Sequence, residues 1–488
     1  MKRKTSVLVC ALLTAAFTVS AQQYEKYKNA DPKELIKRSD LSPQELESIQ
    51  RYFLFDAKDT VRSNELQQLL INKDPKGPYA RNSAFHKIMG VSGHEKMLAA
   101  ANAFLSAFPY AEWLAHPTNQ EFIYYSVHRN MGTAYFETKQ YDQLISFCVP
   151  LNFKTVNEIY RWNLMRAIVF KTVGRDTLYS VSTKLIEQLI KKQKDRSYEE
   201  QGVFNKEQAT ANAEEQLDNE LGLHITLLHE MKKYSEAKGY FVHLSPKGAY
   251  GSAELNAIHL DILQQTGDQK AIQPFLENCV RVNTMTQQMF DKLKEIYTAK
   301  NKAEGYEAYL NSLRSADEQE QMKAYVKEHL TNWEYIPFAL EDPSGQLVRS
   351  SEWGDRIIVL DFWATWCKPC ISAFPGMQML VDKYAKDDQV GIYMVGTMQT
   401  GNYKEKSEGY VKQQGFRFHL LHDAVNPDNG EQDKVFRTFA HYFNSSAIPR
   451  KVILKDGIMR YTAEGYSGSP SKLVDELSYA IELLKAEK

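Results

Sequence analysis

The stretch Ile357-Ile-Val-Leu-Asp-Phe-Trp-Ala-Thr-Trp-Cys-Lys-Pro-Cys370 decides how the C-terminal part of the chain folds. Ile357 to Leu360 predict a buried strand, and a short turn then delivers Cys367 and Cys370 with Lys368 and Pro369 between them. Proline suits the first turn of a helix, where its missing N–H costs nothing. The segment therefore reads as strand, turn, and two cysteines at a helix start. There the unpaired N–H groups and the helix dipole favour a thiolate. The spacing lets the second sulfur reach the first, so the pair can cycle between dithiol and disulfide, and thiol–disulfide exchange is the expected chemistry.

Other uses of the pair fit less well. Half a zinc site needs a second Cys/His pair, and the other cysteines beyond the leader, Cys148 and Cys279, are isolated. His419 and His422 are three apart on an expected strand, so their side chains leave from opposite faces. Haem attachment requires His after the second cysteine, where Ile371 stands. No metal and no cofactor beyond the cysteine pair is expected.

The segment Asp361 to Cys370 resembles the active-site segment of the thioredoxin superfamily, and the chain from about Phe338 onward resembles its TlpA/ResA-like envelope branch. Phe338 to Leu347 is similar to the hairpin that precedes the core there. Pro375 matches the proline of the helix after the cysteines, and Ala447-Ile-Pro-Arg450 the loop that carries a cis-proline opposite them. Lys455-Asp-Gly457 reads as the turn of a last hairpin and Ser471 to Lys485 as a final helix. The resemblance implies that Cys367 attacks, Cys370 resolves, and Trp366, Ile448 and Pro449 hold the substrate, with Lys368 and Pro369 in support. It also implies protein disulfide substrates, reduction as the direction, and an upstream membrane dithiol as electron donor. Two positions depart from the branch: Ala373 replaces a glutamate, and Asp361 stands where many members have asparagine. An acid there is the thioredoxin arrangement; buried, it can take a proton near neutral pH. Asp361 is therefore the candidate base for Cys370. Peroxide reduction fits poorly, because Trp366 and Cys370 flank Cys367 where a single peroxidatic cysteine follows Pro and Thr.

Lys2-Arg3-Lys4, the apolar run Val7 to Val19 and Val19-Ser20-Ala21 read as a secretory leader over residues 1–21, cut before Gln22. Thirteen apolar residues are too few to span a bilayer, which takes about 20. The expected location is the periplasm or cell envelope, where disulfides form and need management. Lys plus Arg number 60 and Asp plus Glu 61, with no basic stripe, so nucleic acid is not an expected partner.

Residues 22–335 read as helix after helix. Ala237, Ala271 and Gly305 lie 34 apart, as do Phe241, Phe275 and Tyr309. That is the tetratricopeptide period. Gly132 with Tyr141 and Leu144 resembles an earlier copy of the unit, out of phase with the later three. The expected fold is an all-α, tetratricopeptide-like repeat domain over 22–335, followed by an α/β thioredoxin-like domain over 336–488. Two functional classes follow. In one, the chain is an oxidoreductase whose helices position clients; in the other, the helices are a binding scaffold and the thioredoxin-like domain is a docking module.

Overall fold

The computed structural model describes residues 23–114, 122–199, 204–443 and 445–487. The expected leader lies outside them. Among the described residues no helix is long and apolar enough to cross a membrane. The chain divides into two compact units, Met1–Glu220 and Leu221–Lys488.

The described part of the first unit is built from helices. Ser42 starts Pro43–Phe55 with a capping box: its hydroxyl accepts from Glu45 N, and the Glu45 carboxylate accepts from Ser42 N. That helix packs on Thr60–Lys73 through Leu46, Ile49, Phe53 and Leu66. Helices Phe122–Glu137 and Phe153–Tyr160 approach closely at Gly132, where a Cβ would lie 2.9 Å from the Ile159 side chain. Cys148 ends Tyr141–Cys148, buried and free, and burial pushes its thiol up to about 12.

The helix hairpins share one turn. Lys139, Lys232 and Gly267 all have a left-handed φ, at 60°, 58° and 72°. Each is followed by an N–H that reaches back to a carbonyl five residues earlier: Gln140 to Tyr135, Lys233 to Leu228, and Asp268 to Leu263, at 2.8, 2.9 and 2.9 Å. This is the Schellman closure of a helix C-terminus. It corrects the expected register. Lys232 and Gly267 are 35 apart, so Ala237 corresponds to Ile272, and both are fully buried. Ala271 falls one position round the helix and is only half-buried. Gly305 precedes Tyr306–Leu313 in a 3-10 turn rather than lying inside the second helix.

In the second unit, Gln269–Arg281 (α1), Gln287–Thr298 (α2) and Ala316–Glu328 (α3) lead into an eight-stranded sheet. Its strands are Leu330–Glu334 (β1), Ala339–Glu341 (β2), Leu347–Arg349 (β3), Ile357–Trp363 (β4), Val390–Gly396 (β5), His419–His422 (β6), Arg450–Lys455 (β7) and Ile458–Glu464 (β8). The order is β1-β8-β7-β4-β5-β6-β2-β3, with β4–β5 and β5–β6 parallel and the other pairs antiparallel. The sheet therefore begins at Leu330, ahead of the boundary expected at 335. Helices Lys368–Tyr384 (α4), Tyr403–Gln413 (α5), Lys434–Ala440 (α6) and Pro470–Ala486 (α7) complete the unit.

All seven residues of β4 are buried. On one face Val359 and Trp363 pack with Phe374, Met377 and Leu380 of α4 and Leu477 and Ile481 of α7. On the other, Ile358, Leu360 and Phe362 meet Val435, Phe436 and Phe439 of α6. Fully buried aliphatic and aromatic side chains contribute roughly 1.5–3 kcal/mol each, so β4 is the axis of the domain. Pro375 lies inside α4, and Gly376 beside it lets Pro470 come close: a Cβ there would sit 3.1 Å from Pro470 Cα.

The preceding helices join this body. Val326 of α3 belongs to the core cluster of α4 and α7. Asn283 donates to Asp475 (2.9 Å), Arg314 donates to the same carboxylate (3.2 Å), and Met285 N donates to Ser471 Oγ (3.0 Å). Cys279 on α1 is free and buried, and burial raises its thiol pKa.

Candidate active site

The central strand delivers the cysteines to the start of α4. Cys367 is the residue that caps this helix: its sulfur accepts from Cys370 N at 3.3 Å. Lys368 and Pro369 follow in the first turn, both exposed. The two sulfurs are joined as a disulfide, so this is the oxidised state of the pair. Cys367 keeps 4 % of its surface exposed and Cys370 none. A nucleophile at the helix mouth with its partner one turn deeper is the arrangement that intramolecular resolution needs.

Opposite the pair lies the loop before β7. The Ile448–Pro449 bond is cis, and the Ile448 carbonyl oxygen stands 3.6 Å from Cys367 Sγ. Pro449 is buried, and its own carbonyl accepts from Gly465 N at 2.8 Å, which ties the loop to the end of β8. Trp366 is 64 % exposed beside Cys367, and its indole N–H donates to the Met398 carbonyl at 2.8 Å.

Asp361 lies on β4 between Val359 and Trp363, so its side chain leaves on the face that α4 covers. It is wholly buried. Neither carboxylate oxygen has a hydrogen-bond partner, and the nearest cation is Lys451 Nζ, 3.5 Å from Oδ1. Burial pushes the Asp361 carboxyl up to about 6, against the downward pull of the Lys451 ammonium. It can thus exchange a proton close to neutral pH.

Every residue expected at the site except Asp361 lies at the mouth of α4 or in the loop facing it, and Asp361 lies on the strand beneath. His419 and His422 sit apart from it on β6; His419 is exposed, and His422 is buried with Nε2 2.9 Å from Glu408 Oε1. Sequence reasoning missed three contributors. Lys451 is the cross-strand partner of Asp361, and a lysine directly before the apolar run Val452 to Leu454 of β7 was its signal. Gly465 and Met398 act through backbone groups, which leave no mark in side-chain patterns.

Residues 332–462 match the AhpC/TSA family. The thiol-disulfide oxidoreductase ResA of Bacillus subtilis is 30 % identical over 87 residues, 18 % of this chain and 46 % of that protein. The thioredoxin-like protein YneN of the same organism is 28 % identical over 93 residues, 19 % of this chain and 54 % of that protein. The chain thus spans about half the length of these curated relatives. Among solved structures, StoA of Bacillus subtilis aligns over 29 % of this chain and 96 % of its own, at 18 % identity and a TM-score of 0.24. A thioredoxin-family thiol:disulfide interchange protein of Chlorobium tepidum aligns over 31 % and 97 %, at 18 % identity and a TM-score of 0.26. Residues 332–462 of this chain thus carry a domain similar to the AhpC/TSA family, preceded by a long helical region.

Proposed function

We propose that the chain is a thiol–disulfide oxidoreductase that reduces disulfides of protein clients in the cell envelope. In the reduced state the Cys367 thiolate attacks a client disulfide; that bond breaks, and one client sulfur leaves and takes a proton. Cys370 gives its proton to the Asp361 carboxylate and attacks Cys367 Sγ. The mixed disulfide breaks, the second client sulfur leaves and is protonated, and the Cys367–Cys370 disulfide remains. Two electrons have then passed to the client, and a dithiol donor at the membrane restores the pair by the reverse exchange.

The reading is carried by one observation: Cys367 Sγ caps α4 within 3.3 Å of Cys370 N and faces the Ile448 carbonyl at 3.6 Å. The envelope location rests on the basic and apolar leader, Lys2 to Ala21. The helices are read as a surface that holds clients near Cys367 and so raises their effective concentration. A titration of the Cys367–Cys370 couple against glutathione, paired with insulin reduction, tests the reading. A reducing couple that accelerates insulin reduction is expected. A potential as oxidising as roughly −120 mV would turn the direction round, and insulin reduction no faster than with Cys367→Ser would end the proposal.

A further inference from the structure

The loop after β5 does more than connect. Thr365 precedes Trp366 and Cys367, and the Gln399 side-chain carbonyl accepts from both Thr365 N (3.1 Å) and Thr365 Oγ1 (2.9 Å). The other end of that amide donates to Ser407 Oγ at 2.8 Å. Gln399 is itself held by a second glutamine: its backbone N–H donates to Gln432 Oε1 at 3.2 Å. Gln432 Nε2 donates to the carbonyls of Gly396 (2.9 Å) and Asp423 (3.1 Å). Both glutamines are buried.

Between them stands Met398, the residue whose carbonyl fixes the Trp366 indole. Its φ is +54°, a left-handed conformation that a side chain with a Cβ rarely adopts. The neighbours hold it there: Met398 N donates to the Gln432 carbonyl at 2.7 Å. Such conformations persist where the surroundings over-determine them, and they collect at functional sites. A buried amide pair that ties the active-site turn and the loop after β5 to α5, to the end of β5 and to the segment after β6 is an unusual use of two large polar side chains. A buried polar group that loses its partner is penalised, so the network favours a single arrangement.

We propose that Gln399 and Gln432 are positioning residues for client binding. They hold the Thr365–Trp366 turn so that the exposed indole stands as a fixed platform beside Cys367, against which an extended client polypeptide packs. This deepens the proposed function and rests on it. The thiol chemistry itself belongs to Cys367, Cys370 and Asp361, so the pair acts on how a client is gripped and not on how sulfur reacts.

The full-length chain is compared with Gln399→Leu, Gln399→Glu and Thr365→Val. Two disulfides are used, insulin and 2-hydroxyethyl disulfide, and the Trp366 resonance is followed with 5-fluorotryptophan, assigned by Trp366→Phe. Gln399→Leu should raise KM for insulin about tenfold, the loss expected for one displaced aromatic anchor. It should leave kcat and the small disulfide within about twofold, and it should shift or broaden the Trp366 line. Gln399→Glu keeps both acceptor bonds to Thr365 and can accept from the Ser407 hydroxyl, so it should restore most of the loss. The proposal falls if Gln399→Leu leaves KM and the Trp366 line unchanged, if both disulfides suffer equally, or if Glu is as damaging as Leu. Should Gln399→Leu not fold, Thr365→Val is read by the same criteria, since it deletes only the Oγ1 donor. Wild-type protein that exchanges neither disulfide would end the proposed function, while the fluorotryptophan line would still decide the brace.

Discussion

Lys451 Nζ stands 3.5 Å from Asp361 Oδ1, and neither side chain reaches solvent. The two residues are cross-strand partners on β7 and β4. Taking both charges out of water costs more than a single contact of that length returns, which is why the carboxyl is held up rather than down. Lys451 also donates to the Gly465 carbonyl at 3.3 Å, and Gly465 N in turn holds the Pro449 carbonyl. One lysine thus links the buried acid beneath the cysteines to the loop above them.

The position of that acid makes stability depend on pH in a definite direction. A carboxyl whose folded pKa is raised favours the fold when protonated. The gain is complete below the ordinary value near 4 and is lost as pH rises through about 6. Relative to Asp361→Asn, the wild type should therefore gain on the order of 3 kcal/mol between about pH 7 and pH 4. Urea unfolding of both proteins across the window checks this, and a pH-independent difference would mean that Asp361 titrates as an ordinary carboxylate.

The same pair should govern resolution. Asp361→Asn removes the base, so breakdown of the mixed disulfide at neutral pH should slow about 10²-fold, the lower end for general-base catalysis, while the first attack changes little. Lys451→Met removes the ammonium that holds the carboxyl down. The basic form of Asp361 then appears at higher pH, and the resolution profile should move to the alkaline side. Stopped-flow rates against pH for the two steps distinguish these effects. Equal slowing of attack and resolution would assign Asp361 a structural role only.

Exposure separates the two cysteines. Cys367 is at the helix mouth and Cys370 is sealed beneath it. Cys370→Ser should accumulate covalent client adducts, whereas Cys367→Ser should trap almost none, as mass spectrometry of alkylated extracts would show. Adducts confined to Cys367→Ser would reverse the roles of attacker and resolver.

What the sequence made legible was local. Ile357 to Leu360 is a continuous apolar run, the mark of a strand covered on both faces, and a proline two residues into a helix start is read directly from spacing. His419 and His422 were separable by the strand's period of two. The Lys451–Asp361 pair depends instead on the register of two strands 90 residues apart. The Gln399–Thr365 bonds depend on how a long loop folds back, and loops have no periodicity to read. The repeat register failed for a related reason. Small and aromatic residues coincide at 34, but the turn geometry at Lys232 and Gly267 sets the true spacing at 35. Glycine at one turn and lysine at another conceal the equivalence, since both hold a left-handed φ there.

The start of the thioredoxin-like body was the least visible feature, and it yields the most practical prediction. Leu330-Thr-Asn-Trp-Glu334 lacks the alternation of a half-buried strand, yet it forms β1 at the sheet edge beside β8. Thr331 Oγ1 donates to the Met459 carbonyl at 2.6 Å, and Trp333 stacks on Tyr442 at 5.2 Å between ring centres. Just upstream, Val326 of α3 is fully buried against α7, with Met322 and Leu330 packed around it. A fragment beginning at Pro337 would lose all of this and leave β8 as a bare edge, which invites association. A fragment beginning at Ser315 keeps α3 and β1. Burying Val326 and its neighbours is worth at least about 3 kcal/mol, and a domain of this size shifts by about 2–4 °C per kcal/mol. The Ser315 fragment should therefore melt about 6–12 °C above the Pro337 fragment and remain monomeric in sedimentation. Equal melting temperatures would show that α3 and β1 lie against the domain without stabilising it.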